Sequence, residues 1–445
     1  MKKLATLLLA AGMVVAASAP ANAVDVKVDA RYRASFAYGS NGFNSGNVED
    51  LRHRFRLGLT MAASENLSAF VQFQANQANQ WGNTDQHGLG AANDVQARMM
   101  FLDWVVPGTP VKVRMGRHDL GLPAEAFGEN SILGGGWGNR EGIVVTAPVA
   151  DWLGLSAMWA RLATDAGKDI DTNNTDDIYA VAANVKFDGI SGAVYGAYAT
   201  LDEGITGQNT WNGRRPEGSG NAYWLGFTST FSAFDPFTLK VSAAFGEYDA
   251  ENADQSERGW NVQAKASYAL PFGTASLGGW YFSGEDRDGK GAMYAPGYFA
   301  GTKHYYDGFA SLNNPHGCTQ NTGTWAVQAA LTGVSFIEKL SHDFQVTYME
   351  GTNKNKRENL GGYYKDADAT KGIPALTVFD GYANYLTEDD SLVEFSMVNT
   401  YKIYKNLAAR LDLAYIISDL DSIAAKEGGL TEDDWHVGLT FDFKF

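Results

Sequence analysis

Apolar and polar residues alternate with period two over most of this chain. Val26, Val28, Ala30, Tyr32, Ala34, Phe36 and Tyr38 take turns with Lys27, Asp29, Arg31, Arg33 and Ser35. At the far end Trp435, Val437, Leu439, Phe441, Phe443 and Phe445 alternate with His436, Gly438, Thr440, Asp442 and Lys444. Such a period places successive side chains on opposite faces of a strand, whereas a helix would need a period near 3.6. The runs exceed the roughly five or six residues of an average soluble strand. Eight short turns punctuate them, at 64–66, 107–110, 148–152, 188–191, 233–236, 270–273, 337–342 and 404–406. Nine longer polar segments lie between, near 39–50, 76–94, 116–140, 164–177, 201–220, 248–258, 283–323, 350–390 and 418–433. Alternation of short and long connections predicts 18 antiparallel strands in up-and-down order, with 16 as the alternative if one hairpin is over-counted.

Tight turns at one end and long loops at the other are the signature of a transmembrane β-barrel of the bacterial outer membrane. A soluble sandwich of this length would have shorter strands. Aromatic residues flank the turns: Trp104, Trp152, Phe187, Phe234, Phe237, Phe272 and Phe336. A barrel places such residues in girdles at the membrane–water boundaries. The N-terminus fits the same destination. "MKK", an apolar run from Leu4 to Ala17, and "ANA" ending at Ala23 form a secretory signal peptide with an A-x-A cleavage site. Residues 24–445 are then one barrel domain, with no linker or repeat dividing them.

Charge and cysteine content narrow the function. The formal net charge is −16, which becomes −18 without Lys2 and Lys3, so nucleic acid is not an expected partner. Cys318 is the only cysteine, which excludes an intrachain disulfide and a thiolate metal cluster. "DIDTNNTDD" (169–177) resembles a calcium loop but has Asn174 where an EF-hand needs Gly and Ala180 where it needs Glu. Weak divalent cation binding in acidic loops is the most that follows; no metal site and no cofactor are expected. His118-Asp119 and His342-Asp343 are neighbours on strands and point to opposite faces, so neither makes a dyad. H-E-x-x-H and G-x-S-x-G do not occur. An enzyme is therefore not expected; a barrel enzyme with dispersed residues is the less favoured alternative.

With the cleaved leader, the 18 alternating segments and the terminal strand "WHVGLTFDFKF", the chain resembles Gram-negative outer-membrane porins. "PGTPVKVRMGR" followed by a Gly-rich loop is similar in style to the homotrimeric major porins of sulfate-reducing bacteria. The resemblance implies a homotrimer in the outer membrane with lipid around it. It also implies that Phe445 is read by the barrel-assembly machinery, and that the third long loop folds into the lumen. That loop would be "GRHDLGLPAEAFGENSILGGGWGNR" (116–140), carrying Asp119, Glu125 and Glu129.

Membrane energetics orient the basic residues. "LRHRFRLGLT" (51–60) carries Arg52, Arg54 and Arg56 at alternate positions. An Arg on the lipid face near the midplane costs roughly 2–4 kcal/mol, so three together must face the lumen. The same parity turns Arg31 and Arg33 inward on the first strand and Lys112 and Arg114 inward on the fifth. Arg98 sits in "QARMMFLDW", where alternation breaks and a bulge is needed to place it. The expected site is an eyelet with this basic wall on one side and Asp119, Glu125 and Glu129 on the other. Charged rings of this kind sort solutes by sign. The expected function is passive diffusion of small hydrophilic solutes and ions, with an anion- or sugar-selective channel as the alternative.

Overall fold

A computed structural model gives the fold. It describes residues 24–40, 47–75, 95–128, 130–133, 139–164, 175–201, 219–251, 256–286, 290–293, 323–354, 386–420 and 433–445. The predicted leader, Glu129, Cys318 and the loop 76–94 lie outside them.

Eighteen strands form one sheet that closes on itself. They are β1 (Asp25–Ser40), β2 (Asn47–Ser64), β3 (Leu67–Ala75), β4 (Gln96–Val105), β5 (Lys112–Asp119) and β6 (Asn139–Ala150). Next come β7 (Leu153–Thr164), β8 (Thr175–Phe187), β9 (Ile190–Leu201), β10 (Gly220–Phe234), β11 (Phe237–Ala250) and β12 (Glu257–Leu270). The last are β13 (Gly273–Phe282), β14 (Thr324–Ile337), β15 (Leu340–Gly351), β16 (Asp390–Tyr404), β17 (Leu407–Leu420) and β18 (Asp433–Lys444). Every strand pairs antiparallel with its neighbours in sequence, and β1 pairs with both β2 and β18. The count of 18 and all eight turns agree with the period-two reading. Closure leaves no unpaired sheet edge, which a bilayer would not tolerate.

The seam between the chain ends is built from backbone and charge. Ala30 and Phe445 exchange both backbone hydrogen bonds, at 2.7 and 2.9 Å. Beside them the Arg31 guanidinium donates twice to Asp442, from Nε at 2.7 Å and from Nη2 at 2.6 Å. Lys444 approaches the same carboxylate at 3.8 Å. Asp442→Ala is expected to lower barrel stability by up to about 1 kcal/mol, because the Arg31 and Lys444 head groups it releases are partly exposed to water. Urea unfolding in detergent micelles reads this; an unchanged midpoint would show that the backbone ladder alone holds the seam.

The outer face is apolar and banded. All seven aromatics named above beside the turns are exposed on it. Trp152 stacks on Phe187 and Phe272 on Phe336, each with centroids 5.6 Å apart. A second band, not anticipated from the sequence, runs near the loop end. Tyr38 meets Trp435 at 5.4 Å, Trp260 meets Tyr281 at 4.8 Å and Trp325 meets Tyr348 at 5.4 Å. Tyr179 belongs to this upper band and Phe187 to the lower one, on the same strand. Their separation in sequence spans about 26 Å along a strand, or about 20 Å of height at a tilt near 40°. An outer-membrane apolar belt is about 25 Å tall, so the two bands lie within a few ångströms of its edges.

Candidate functional site

Inside the barrel the wall has two unlike halves. On β7 to β11 the inward positions are small: Ala160, Ala180, Ala182, Ala197, Ala199, Ala222 and Ala244 are buried. They leave room for the segment between β5 and β6, whose Ile132 and Leu133 pack into this surface with Met158, Ile178, Tyr195 and Trp224. Phe127 of the same segment meets Trp280 edge-on at 5.1 Å, with Lys265 Nζ 5.5 Å from its ring centroid. The third loop is thus folded into the lumen, as the resemblance implied. An apolar inner surface, rather than charge alone, holds it there.

The loop is also tied down by polar contacts. Asn130 Oδ1 accepts from the backbone N–H groups of Ile132 (2.8 Å) and Leu133 (3.1 Å), and its Nδ2 donates to Pro123 O (3.1 Å). Ala126 N–H donates to Ser242 on β11 at 3.1 Å. Glu125 is the hub. Its carboxylate accepts from Ser131 N–H (3.1 Å), Ser131 Oγ (3.0 Å), Tyr195 Oη on β9 (3.0 Å) and the Gln263 amide on β12. Asn261 supports Ser131 Oγ at 3.0 Å. Burial pushes the Glu125 carboxyl above its ordinary range, against the opposite pull of the bonds from Ser131, Tyr195 and Gln263.

The basic residues occupy the other half. Register places Arg31 directly opposite Arg56, and Arg33 opposite Arg54. Arg52 shares their parity opposite Ser35 on the strand; its side chain lies outside the described residues. Arg56 Nε donates to Gln74 at 2.5 Å. A register shift between Gln72 and Phe73 confirms the bulge expected near Arg98. That shift brings Arg98 to the inner face, where it bonds Gln72 at 2.9 Å and Asp119 at 3.3 Å. Arg114 makes two bonds to Asp103, at 2.6 and 2.7 Å, and lies 4.2 Å over the Phe101 ring. Lys112 stands opposite Val105 and Thr146 at the turn end of the same strand.

Two parts of the expected acidic side are corrected. Asp119 is the last residue of β5 and belongs to the basic wall, as the partner of Arg98. Glu125 does not face the arginines; it is 2% exposed and bound to β9 and β12. The loop and wall supply four donors to it, so Glu125 anchors the loop rather than presenting a charge to the lumen. Sequence reasoning also missed Arg140 on β6 and Arg410 on β17, the latter bonded to Asp412 at 2.8 Å. Arg410 was readable from parity in "LAARLDLAY", whereas the neutral partners Gln72 and Gln74 required the register. In a ring of 18 strands, β11 stands diametrically opposite β2. The docked loop and the arginines of β1 and β2 therefore face each other across the lumen. Among the described residues no cluster of three or more His, Cys, Asp or Glu side chains is arranged to hold a metal ion.

Solved structures share this architecture. Pseudomonas aeruginosa OprD aligns at 13% identity and a TM-score of 0.54, over 95% of each chain. OccK10 (OpdN) of the same organism aligns at 13% and 0.55, over 95% of this chain and 99% of its own. OccK8 (OprE) aligns at 12% and 0.55, over 95% and 98%. One of the OprD structures is described as an outer membrane protein. No protein-family model matches the sequence, and no curated protein matches it. At these identities the likeness is one of fold: a closed, 18-stranded barrel of the outer-membrane type.

Proposed function

We propose that this chain is an outer-membrane channel through which small hydrophilic solutes diffuse passively, with anions favoured at its narrow point. The observation that carries this reading is the asymmetry of the inner wall. Arg31, Arg33, Arg54, Arg56, Arg98 and Arg114 gather on β1 to β5, while the loop opposite presents no described carboxylate to them. Asp442, Asp119 and Asp103 hold Arg31, Arg98 and Arg114, and the six guanidiniums outnumber these three carboxylates, so this side of the lumen presents a net positive field to a passing anion. The outward aromatic bands and apolar outer face support the membrane location, and the shared fold of OprD and its relatives is consistent with it. Kinship with porins of sulfate-reducing bacteria rests on "PGTPVKVRMGR" and the Gly-rich loop that follows it. Phe445, at the seam, is the residue we assign to recognition by the assembly machinery.

Selectivity for particular anions is the second reading, favoured by the paired arginines rather than by any aromatic track. Planar bilayers test both. Purified full-length protein is expected to give discrete conductance steps with a reversal potential on the anion-selective side at 0.1 M salt. Candidate organic anions should reduce that conductance in a concentration-dependent way if the second reading holds. A barrel that carries no ion current would overturn the proposal.

A further inference from the structure

The outer face carries a groove of about 390 Å³ across β15 to β18. Its floor follows one register row, from Gln345 on β15 to His436 on β18. Phe395 and Tyr415 line its upper side, Met397 and Leu413 its lower side. Phe395 and Tyr415 are exposed, and Met397 and Leu413 share their outward parity. Three strand spacings of about 4.8 Å make the groove about 14 Å long.

The groove is inclined to the membrane. At about 3.3 Å per residue and a tilt near 40°, each residue adds about 2.5 Å of height. Gln345 stands five residues above the turn end of β15 at Leu340, and His436 eight above the end of β18 at Lys444. The floor therefore climbs from about 13 Å to about 20 Å above the turns, within an apolar belt about 25 Å tall. Its upper end reaches the loop-end aromatic band, where Trp435 meets Tyr38. This is the path of an acyl chain that descends from the head-group level towards the bilayer centre. Lipid tails are as apolar as leucine, so a chain gains no hydrophobic energy by settling here. The groove offers packing instead, because walls without a neighbour forfeit their dispersion contacts. Choice among lipids then falls to the head group.

The rim above the groove is acidic. Glu350, Ser391 and Asp419 stand in register across β15, β16 and β17. The two carboxylates lie about 25–30 Å above the turns, at the upper edge of the apolar belt. Glu350 accepts from Tyr348 Oη at 3.0 Å, and Asp433 on β18 accepts from Tyr415 Oη at 3.0 Å. Among the described outward positions of β14 to β18 there is no Lys or Arg. Elsewhere on the rim the chain supplies its own cations: Arg117 meets Glu141 at 2.6 Å and Arg161 meets Asp177 at 2.9 Å. Above the groove the complementary charge comes from outside the chain.

We infer that the β15–β18 face is a binding site for one lipid that carries a primary amine on its head group. One acyl chain lies in the groove, and the ammonium stands at Glu350 and Asp419. The inference rests on the membrane-barrel reading but not on conduction.

The test is native mass spectrometry of the full chain after exchange into phosphatidylethanolamine or phosphatidylglycerol of identical acyl chains, with EDTA present. The wild type is expected to retain one phosphatidylethanolamine per chain and to prefer it by about tenfold, as two exposed ion contacts allow. Glu350→Gln with Asp419→Asn should bring the two lipids to equal retention. Leu413→Trp, which fills the groove from the lipid side, should abolish retention of both, whereas Val194→Trp on β9 should leave it unchanged. Bilayer conductance of every variant is expected to match the wild type, since each change faces away from the lumen. Equal retention of the two lipids by the wild type overturns the site, as does undiminished retention in Leu413→Trp. Phosphatidylglycerol retained in preference once Mg²⁺ replaces EDTA would assign the rim to metal-bridged phosphate and overturn the amine. A lower oligomeric mass in Leu413→Trp with no change in bound lipid would assign the groove to a second chain and overturn the site. The expected lipid pattern in a barrel without ion current would support the site while removing the channel reading.

Discussion

Replacing Arg33, Arg54 and Arg56 together by glutamine is expected to abolish the anion preference of the channel. These side chains stand on β1 and β2, with Arg33 opposite Arg54 and Arg56 opposite Arg31. Glutamine keeps the length and hydrogen-bonding capacity of the wall and removes only its charge. A unit charge about 10 Å from a permeating ion is worth about 1.7 kcal/mol at an effective dielectric of 20 and about 0.4 kcal/mol in water. Three such charges in a wet, protein-lined constriction fall between these limits. An intermediate sum of about 1.4 kcal/mol corresponds to a tenfold change in the anion-to-cation permeability ratio. Reversal potentials across a salt gradient near 0.1 M measure it. The difference should shrink towards 1 M, where the screening length falls to about 3 Å. Identical reversal potentials for wild type and triple variant would remove the arginines from the selectivity mechanism.

How far the sequence discloses this site depends on which physics sets each part. Strand count and side-chain direction follow from a period of two and from the cost of charge in hydrocarbon, and both are local properties. The inward placement of Arg31, Arg33, Arg54, Arg56 and Arg114 was therefore legible, as was the ring of aromatics beside the turns. Arg98 was legible only as an anomaly, because a bulge shows in sequence as broken parity without saying which way the extra residue points. Glu125 was misassigned for a different reason. Its environment is made by residues far away in sequence, Tyr195 and Gln263, and by the inward alanines that let the loop settle against them. Those alanines alternate openly in "AVYGAYA" (193–199), so the docking surface was available to parity. Its pairing with this loop was not.

Because Glu125 holds the loop to the wall, its removal should widen the channel. In Glu125→Ala the Tyr195 hydroxyl, the Gln263 amide and the Ser131 N–H lose their shared acceptor in a site that water does not reach. Each orphaned donor costs about 1–3 kcal/mol. The loss falls on loop docking, since the 18-strand ladder does not pass through Glu125. Larger and noisier single-channel conductance, with faster proteolysis of the loop and a nearly unchanged unfolding midpoint, is the expected result. The wild type should also respond to pH. Burial raises the Glu125 carboxyl pKa, so docking is strongest below the ordinary carboxyl range, near 4.3, and weakens as pH climbs through the raised value. Conductance should therefore rise with pH in the wild type. Glu125→Gln, which cannot ionise, should give a flat profile at an intermediate level. Equal pH profiles in wild type and Glu125→Gln would assign the response to another group. Unchanged conductance in Glu125→Ala would show that the apolar contacts of Phe127, Ile132 and Leu133 hold the loop unaided.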